Sequence, residues 1–258
     1  MSMHRPRKRF GQHFLDDPGV IGNIVTAIAP QSDDVLVEIG AGEGAITTPL
    51  SRLAGAMHLL EFDRDLARLL RERYADNAKV TVHEADALSF DFGALGSNLR
   101  VVGNLPYNIS TPLLFHLLEF REHIRDMHFM LQKEVVERMA AEPGGRDFGR
   151  LTVMLGCALQ VVKLFDVPPE AFRPPPKVVS AVVRLAPHPA NTFSIDDHGA
   201  LSAIVAQAFS QRRKTIRNAL RHKANDAELL AAGIDPAMRP EQVPVAEWVR
   251  LANLIGKA

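Results

Sequence analysis

The sequence predicts an α/β fold, an open and mostly parallel sheet wound with helices, followed by a small all-helical domain. Three observations carry this. Short apolar runs alternate with helical stripes from Val35 to Leu185, the pattern of strands covered on both faces. Glycines at 40, 42 and 44 interrupt the passage from the first of these strands to its helix. After Pro187-His188-Pro189-Ala190-Asn191 the strand signals stop, which divides the chain into 1–188 and 189–258.

Taken in order, Arg5, Arg7, Lys8 and Arg9 form a basic arm without an acid, and Gly11-Gln12-His13-Phe14-Leu15 leads from it to Asp17-Pro18, a helix start. Val20, Ile21, Ile24, Val25 and Ile28 are that helix's apolar stripe; His13 alone reads as structural. Val35-Leu36-Val37 begins a parallel strand that runs into Glu38-Ile39-Gly40, and 45–50 opens a helix. A second strand over 57–62 ends in Glu61-Phe62-Asp63, Leu66, Leu69 and Leu70 mark a helix, and 80–82 is a strand. Asp86-Ala87 follows, a turn acid or a strand-end ligand group. Leu99, Val101 and Val102 lead to Asn104-Leu105-Pro106-Tyr107, and Ser110-Thr111-Pro112 caps the next helix.

The second half repeats the alternation. A strand over 128–132, a helix through Val135 and Met139, the turn Glu142-Pro143-Gly144-Gly145, a helix over 148–159 and a strand over 161–165 come in sequence. The proline-rich stretch 168–177 precedes a strand over 178–185. Beyond the linker, apolar residues from Ile204 to Ile255 keep helical spacing only.

Composition narrows the function classes. Of 258 residues, 47% are hydrophobic and 23% charged, as in an ordinary globular protein. A single Cys157 excludes an intramolecular disulfide framework and suits a reducing cytosol. No apolar run has the length of a membrane span, and the basic opening lacks a signal-peptide core, so a cytoplasmic protein without membrane contact is expected. Net charge is zero, yet Arg212, Arg213, Lys214, Arg217, Arg221 and Lys223 cluster without an acid among them. With the arm, they read as a localised phosphate footprint or as solvated helix faces.

Two loops suggest chemistry. Glycines between strand and helix let a ligand approach the backbone, and Glu61, about twenty residues past Gly40, stands where an acid meets ribose hydroxyls. Nicotinamide dinucleotide and S-adenosylmethionine both qualify; Glu38 favours the second, since it could face an ammonium group. Asn-Leu-Pro-Tyr alone reads first as a turn. At a strand end it could also grip a planar amine: the Asn104 side-chain oxygen and the Leu105 carbonyl accept two N–H bonds, and Tyr107 offers a stacking face. Phe172 or Arg173, held by the prolines around them, could form an opposing wall, or the stretch is a surface loop whose Phe172 packs inward.

Together the stretches Gly11-Gln12-His13-Phe14-Leu15, Glu38-Ile39-Gly40-Ala41-Gly42-Glu43-Gly44, Glu61-Phe62-Asp63, Asp86-Ala87, Asn104-Leu105-Pro106-Tyr107, Gln132-Lys133-Glu134-Val135, Phe172-Arg173-Pro174-Pro175-Pro176-Lys177-Val178 and Phe209-Ser210-Gln211-Arg212-Arg213-Lys214-Thr215 resemble the ribosomal RNA adenine dimethyltransferase family. The match is nearest to its small-subunit (16S) branch, tied to kasugamycin sensitivity.

The resemblance implies a Rossmann-like, seven-stranded sheet binding S-adenosylmethionine. It implies dimethylation of N6 on two adjacent adenosines near the 3′ end of 16S rRNA, late in assembly of the small ribosomal subunit. It also implies roles. Gln12, His13, Leu15, Gly40, Gly42, Glu61, Asp86, Ala87 and Asn104 would hold the cofactor. Asn104, Leu105, Pro106 and Tyr107 would grip the target base, with Phe172 stacked opposite. Arg5, Arg7, Lys8, Arg9, Arg212, Arg213, Lys214 and Arg217 would meet RNA in the immature subunit, the protein acting as a monomer without a metal. Glu43 departs from the pattern, an acid where the family often has an apolar residue. Competing readings are a large-subunit or DNA adenine methyltransferase, an assembly factor whose RNA binding outweighs catalysis, and a nicotinamide-dependent oxidoreductase.

Overall fold

The structure, a computed structural model, describes residues 13–106 and 109–256. Arg5, Arg7, Lys8, Arg9, Gln12 and Tyr107 lie outside the described residues. Strand β1 (Phe14–Leu15) forms a two-stranded ribbon with β8 (Phe172–Arg173), which the sequence did not suggest. The other strands are β2 (Val35–Ile39), β3 (Ala56–Glu61), β4 (Val80–Glu84), β5 (Leu99–Asn104), β6 (Ile124–Gln132), β7 (Leu159–Val167) and β9 (Ser180–Pro187). They make the expected seven-stranded sheet, in the order β4-β3-β2-β5-β6-β9-β7. Neighbours from β4 to β6 are parallel, and β9 runs antiparallel to β6.

The order reverses between β2 and β5. From β2 the chain winds outward through β3 and β4, then returns to lay β5 on the other side. At such a reversal the loops after the two central strands diverge and leave a crevice at their carboxyl ends. Gly40 to Gly44 follows β2, and Asn104 ends β5. Topology therefore brings these two stretches together.

Helices pack as their stripes require. Helix α1 (Pro18–Ile28) starts with Pro18 at its first turn, while the Asp17 side chain accepts a bond from the Val20 amide at 2.9 Å. Its buried Ile24 and Ile28 join Leu36, Leu50, Leu59, Val102, Met130 and Val182 in one apolar core. Helices α2 (Thr47–Leu53), α3 (Arg64–Arg73) and α4 (Ser110–Glu119) follow β2, β3 and β5. Helix α5 (Lys133–Met139) follows β6, and α6 (Arg150–Gly156) occupies the middle of the expected 148–159 helix. Helices α7 (His198–Ser210), α8 (Ile216–Ala219), α9 (Asp226–Ala231) and α10 (Val245–Ile255) form the tail.

The two compact units are not consecutive stretches of chain. One comprises 1–136 and 162–187, the other 137–161 and 188–258. The linker at 188 is where the chain enters the second unit for the last time, but the sequence division at 188 omits an earlier excursion. Phe148, Val153 and Cys157 are the reason: they are buried in one core with Leu201, Val205, Leu220, Leu229, Trp248 and Leu251.

At the amino ends of the central strands a buried arginine fixes α1. Arg100 Nε and Nη2 donate to the two Asp126 oxygens at 2.9 and 3.0 Å, and Nη1 donates to Asp34 at 2.7 Å. Its Nη2 also donates at 2.6 Å to the carbonyl of Ile28, at the negative end of α1.

Candidate active site

A cavity of about 280 Å³ opens at the strand reversal, wholly within the first unit. The glycine loop, His13 to Leu15, Glu38, Glu61 to Asp63, Asp86 to Leu88, and Gly103 to Pro106 line it. Most of the residues expected to bind a cofactor are thus brought together from five separate stretches. Close approach demands glycine in two places. Gly42 has φ +58°, and a Cβ there would lie 3.2 Å from the Phe14 ring; at Gly103 a Cβ would lie 2.6 Å from the Ile39 carbonyl.

Glu61 does more than its position suggested. One carboxylate oxygen accepts the Gly42 amide and the other the Asp63 amide, both at 2.9 Å, so this acid holds the glycine loop against the end of β3. Burial keeps its pKa above the ordinary carboxylate value, against the lowering effect of the Asp63 and Gly42 bonds. Each oxygen retains a lone pair, so the carboxylate can still accept a hydroxyl. Glu38, 1% exposed, accepts the Thr47 hydroxyl at 2.6 Å. Burial, opposed by that bond and reinforced by the Glu61 charge, pushes its pKa up to about 8.

Asn104 ends β5 at the cavity, and its amide nitrogen donates to the His13 carbonyl at 3.0 Å. His13 is fixed in turn by an Nδ1 contact of 2.7 Å with the Pro174 carbonyl. The Leu105 side chain is buried, so what it offers a ligand is its backbone. Asp86 is exposed, lines the cavity and accepts the Leu88 amide at 2.9 Å, the bond of a turn acid. Ala87 is buried in the wall beside it.

Phe172 requires a correction. It is 4% exposed and packs in the apolar core with Leu15 and Val167, and it is not among the residues lining the cavity. The ribbon explains this, because pairing Phe172 with Leu15 gives the ring apolar neighbours that a loop could not supply. The basic segment divides. Arg217 pairs with Asp226 at 2.6 Å and Arg212 bonds the Arg146 carbonyl and lies 3.7 Å from Glu241, while Arg213 and Lys214 are exposed.

Two lining residues escaped the sequence reading. Phe62 is 61% exposed on the cavity wall, an aromatic face that burial would normally claim. Its signal was its place directly after Glu61. His128, in β6, is buried at the cavity, and burial pushes its pKa down to about 4. A lone histidine in an apolar strand was the available sign. Among the described residues no group of three or more His, Cys, Asp or Glu side chains is arranged to hold a metal, and no helix is long and apolar enough to cross a membrane.

Comparison with known proteins adds lineage to this geometry. A family model described as ribosomal RNA adenine dimethylase matches residues 3–257. The chain is 56% identical over 255 residues to a ribosomal RNA small subunit methyltransferase A from Aromatoleum aromaticum, covering 99% of this chain and 96% of that one. It is likewise 56% identical to the protein of that name from Chromobacterium violaceum, with 98% and 97% covered. Among solved structures, a dimethyladenosine transferase from Plasmodium falciparum superposes with TM-score 0.77 at 26% identity, covering 93% and 96% of the two chains. The 23S rRNA methyltransferase ErmE gives TM-score 0.74 at 26% identity, covering 94% and 99%.

Proposed function

The chain belongs to the ribosomal RNA adenine dimethylase family, and from that premise we propose that it transfers methyl groups from S-adenosylmethionine to N6 of two adjacent adenosines near the 3′ end of 16S rRNA. The observation that carries this is the placement of Asn104, its amide nitrogen tied to His13, on the same cavity as the glycine loop. The setting is the cytoplasm, the partner is RNA in the immature small subunit, and the protein acts as a monomer.

The residues present fit the cofactor. The glycine loop leaves room that side chains would fill, Glu61 can accept ribose hydroxyls, and Asp86 can accept from an adenine amine. Phe62 supplies a face for the adenine ring, and His13, Leu15 and Ala87 complete the wall. Glu38 lines the same cavity, where its carboxyl oxygens can accept from an ammonium group. Gln12 belongs to the same set by family likeness. When bound, S-adenosylmethionine supplies a methyl already activated on a sulfonium, so attack on it needs positioning more than a strong base.

Positioning is the work of the β5 end. The Asn104 side-chain oxygen and the Leu105 carbonyl accept the two N6–H bonds of the target adenine, which draws the nitrogen lone pair out of the ring and aims it at the methyl. Pro106 stiffens the turn, and Tyr107 stacks on the base. After attack the nitrogen carries a positive charge and releases its proton to water. One N–H remains for the second transfer. Arg213 and Lys214, and the basic arm, supply phosphate contacts.

Mass spectrometry of RNA from small subunits incubated with the protein and S-adenosylmethionine tests this directly. Two adjacent dimethyladenosines near the 3′ end are expected, and none on large subunits or duplex DNA offered in parallel. Methylation of either alternative acceptor in place of the small subunit would overturn the assignment.

A further inference from the structure

Glu43 and Arg173 meet at the rim of the cavity, and neither has a part in the chemistry above. We propose that Glu43 is a positioning residue, acting with Arg173 as a clasp that couples the glycine loop to the segments orienting Asn104. The proposal rests on the methyl-transfer reading of the site.

The clasp is one end of an unbroken series of contacts. Arg173 Nη2 donates to Glu43 Oε2 at 3.2 Å, while the Glu43 backbone carbonyl takes a bond from Arg73 of α3. The loop is therefore held from two sides. Arg173 lies opposite Phe14 in the ribbon, and the Phe14 ring rests against Gly42. The next residue, Pro174, offers its carbonyl to His13 Nδ1 at 2.7 Å, and the His13 carbonyl takes the Asn104 amide at 3.0 Å. Asp16 Oδ2 stands 3.8 Å from Arg173 Nη1, a second carboxylate ready to draw the guanidinium away if Glu43 lets go.

The effect of the pair is geometric. With the side chains 25% and 46% exposed, an ion pair of this kind contributes little to folding. Its leverage comes from where it sits. Releasing it frees Arg173 to move toward Asp16 and loosens Pro174, then His13, then the amide that must meet N6 within a few tenths of an ångström. An apolar side chain at position 43 could not make this link.

The test uses the full chain and small subunits, with Glu43→Gln, Arg173→Gln, the double variant and Arg173→Lys. Each Gln variant is expected to lower kcat about tenfold, the scale of a small misplacement of reacting groups, with the Kd for S-adenosylhomocysteine changing less than about twofold. The double variant should match a single one, because the contact can be lost only once. Arg173→Lys, which keeps the charge, should recover most of the rate. Wild-type kcat in the single variants, losses that multiply in the double, or cofactor affinity falling in step with rate would each overturn the clasp. A fall in melting temperature beyond about 4 °C would do the same, by making the pair a structural brace. An inactive wild-type protein would instead sink the methyl-transfer reading on which the clasp rests.

Discussion

Asn104 donates its side-chain N–H to the backbone carbonyl of His13, a bond of 3.0 Å between residues 91 positions apart. A carbonyl can only accept, so this bond fixes which end of the amide is which. The oxygen is then the end of the side chain that can accept from a ligand. An amide without that partner could flip and present a donor to the N–H groups it must bind.

Loss of the amide should therefore cost rate more than stability. Asn104→Ala is expected to lower kcat by about two orders of magnitude or more, the scale of one preorganised electrostatic contact. Asn104→Asp should fail similarly, since a carboxylate cannot donate to His13. Single-turnover methyl transfer to small subunits measures both, and a near-normal rate in either would remove Asn104 from the centre of the mechanism.

Glu38 predicts how stability varies with pH. Its pKa rises from the ordinary carboxylate value of 4.5 to about 8 on folding, chiefly through burial. Between those values the folded protein keeps a proton that the unfolded chain releases, so this group lowers stability as pH rises and levels off above about 8. Glu38→Gln, which resembles the protonated acid, should remove that part of the decline. Urea denaturation from roughly pH 5 to 9 compares the two slopes, and parallel curves would refute the assignment.

Phe62 predicts a loss confined to binding. Because the ring is 61% exposed, Phe62→Ala should leave unfolding nearly unchanged. A stacked base is worth about 1–3 kcal/mol, so S-adenosylhomocysteine should bind about 5- to 150-fold more weakly. Calorimetric titration decides it, and unchanged affinity would mean that the adenine lies elsewhere.

Arg100 predicts the opposite division. Replacing it with Ala takes the two-pronged partner from buried Asp126, leaves Asp34 with only Arg125 and the Gln31 amide, and uncaps the end of α1. A loss of about 3–5 kcal/mol is expected, the usual cost of removing one partner from a buried ion pair. Equilibrium denaturation measures it; a change below about 1 kcal/mol would show that the carboxylates find other partners or take up protons.

Much of the site was legible because its residues are clustered in the chain. The glycine loop, Glu61 and the stretch from Asn104 each sit within a few residues of a strand end, where spacing raises them as candidates and the family resemblance gives them roles. Phe62 was hidden because an exposed aromatic and a buried one look alike in sequence. Phe172 was misread for the same reason: nothing local says that Leu15 pairs beside it and draws its ring into the core.

The sequence by itself determined the alternation of strand and helix, the Asp17 helix cap, the turn glycines and the family, since propensity, periodicity and motif spacing act over a few residues. The cap read at Ser110 to Pro112 is not made, because the helix starts at Ser110 with Ile109 before it and no side-chain capping bond. Only the tertiary structure decided which distant groups share a bond. It set Glu61 on Gly42, tied Asn104 to His13 and gave residues 137–161 to the helical unit. Burial and hydrogen-bond partnership depend on what the rest of the chain brings alongside, and no short stretch carries that information.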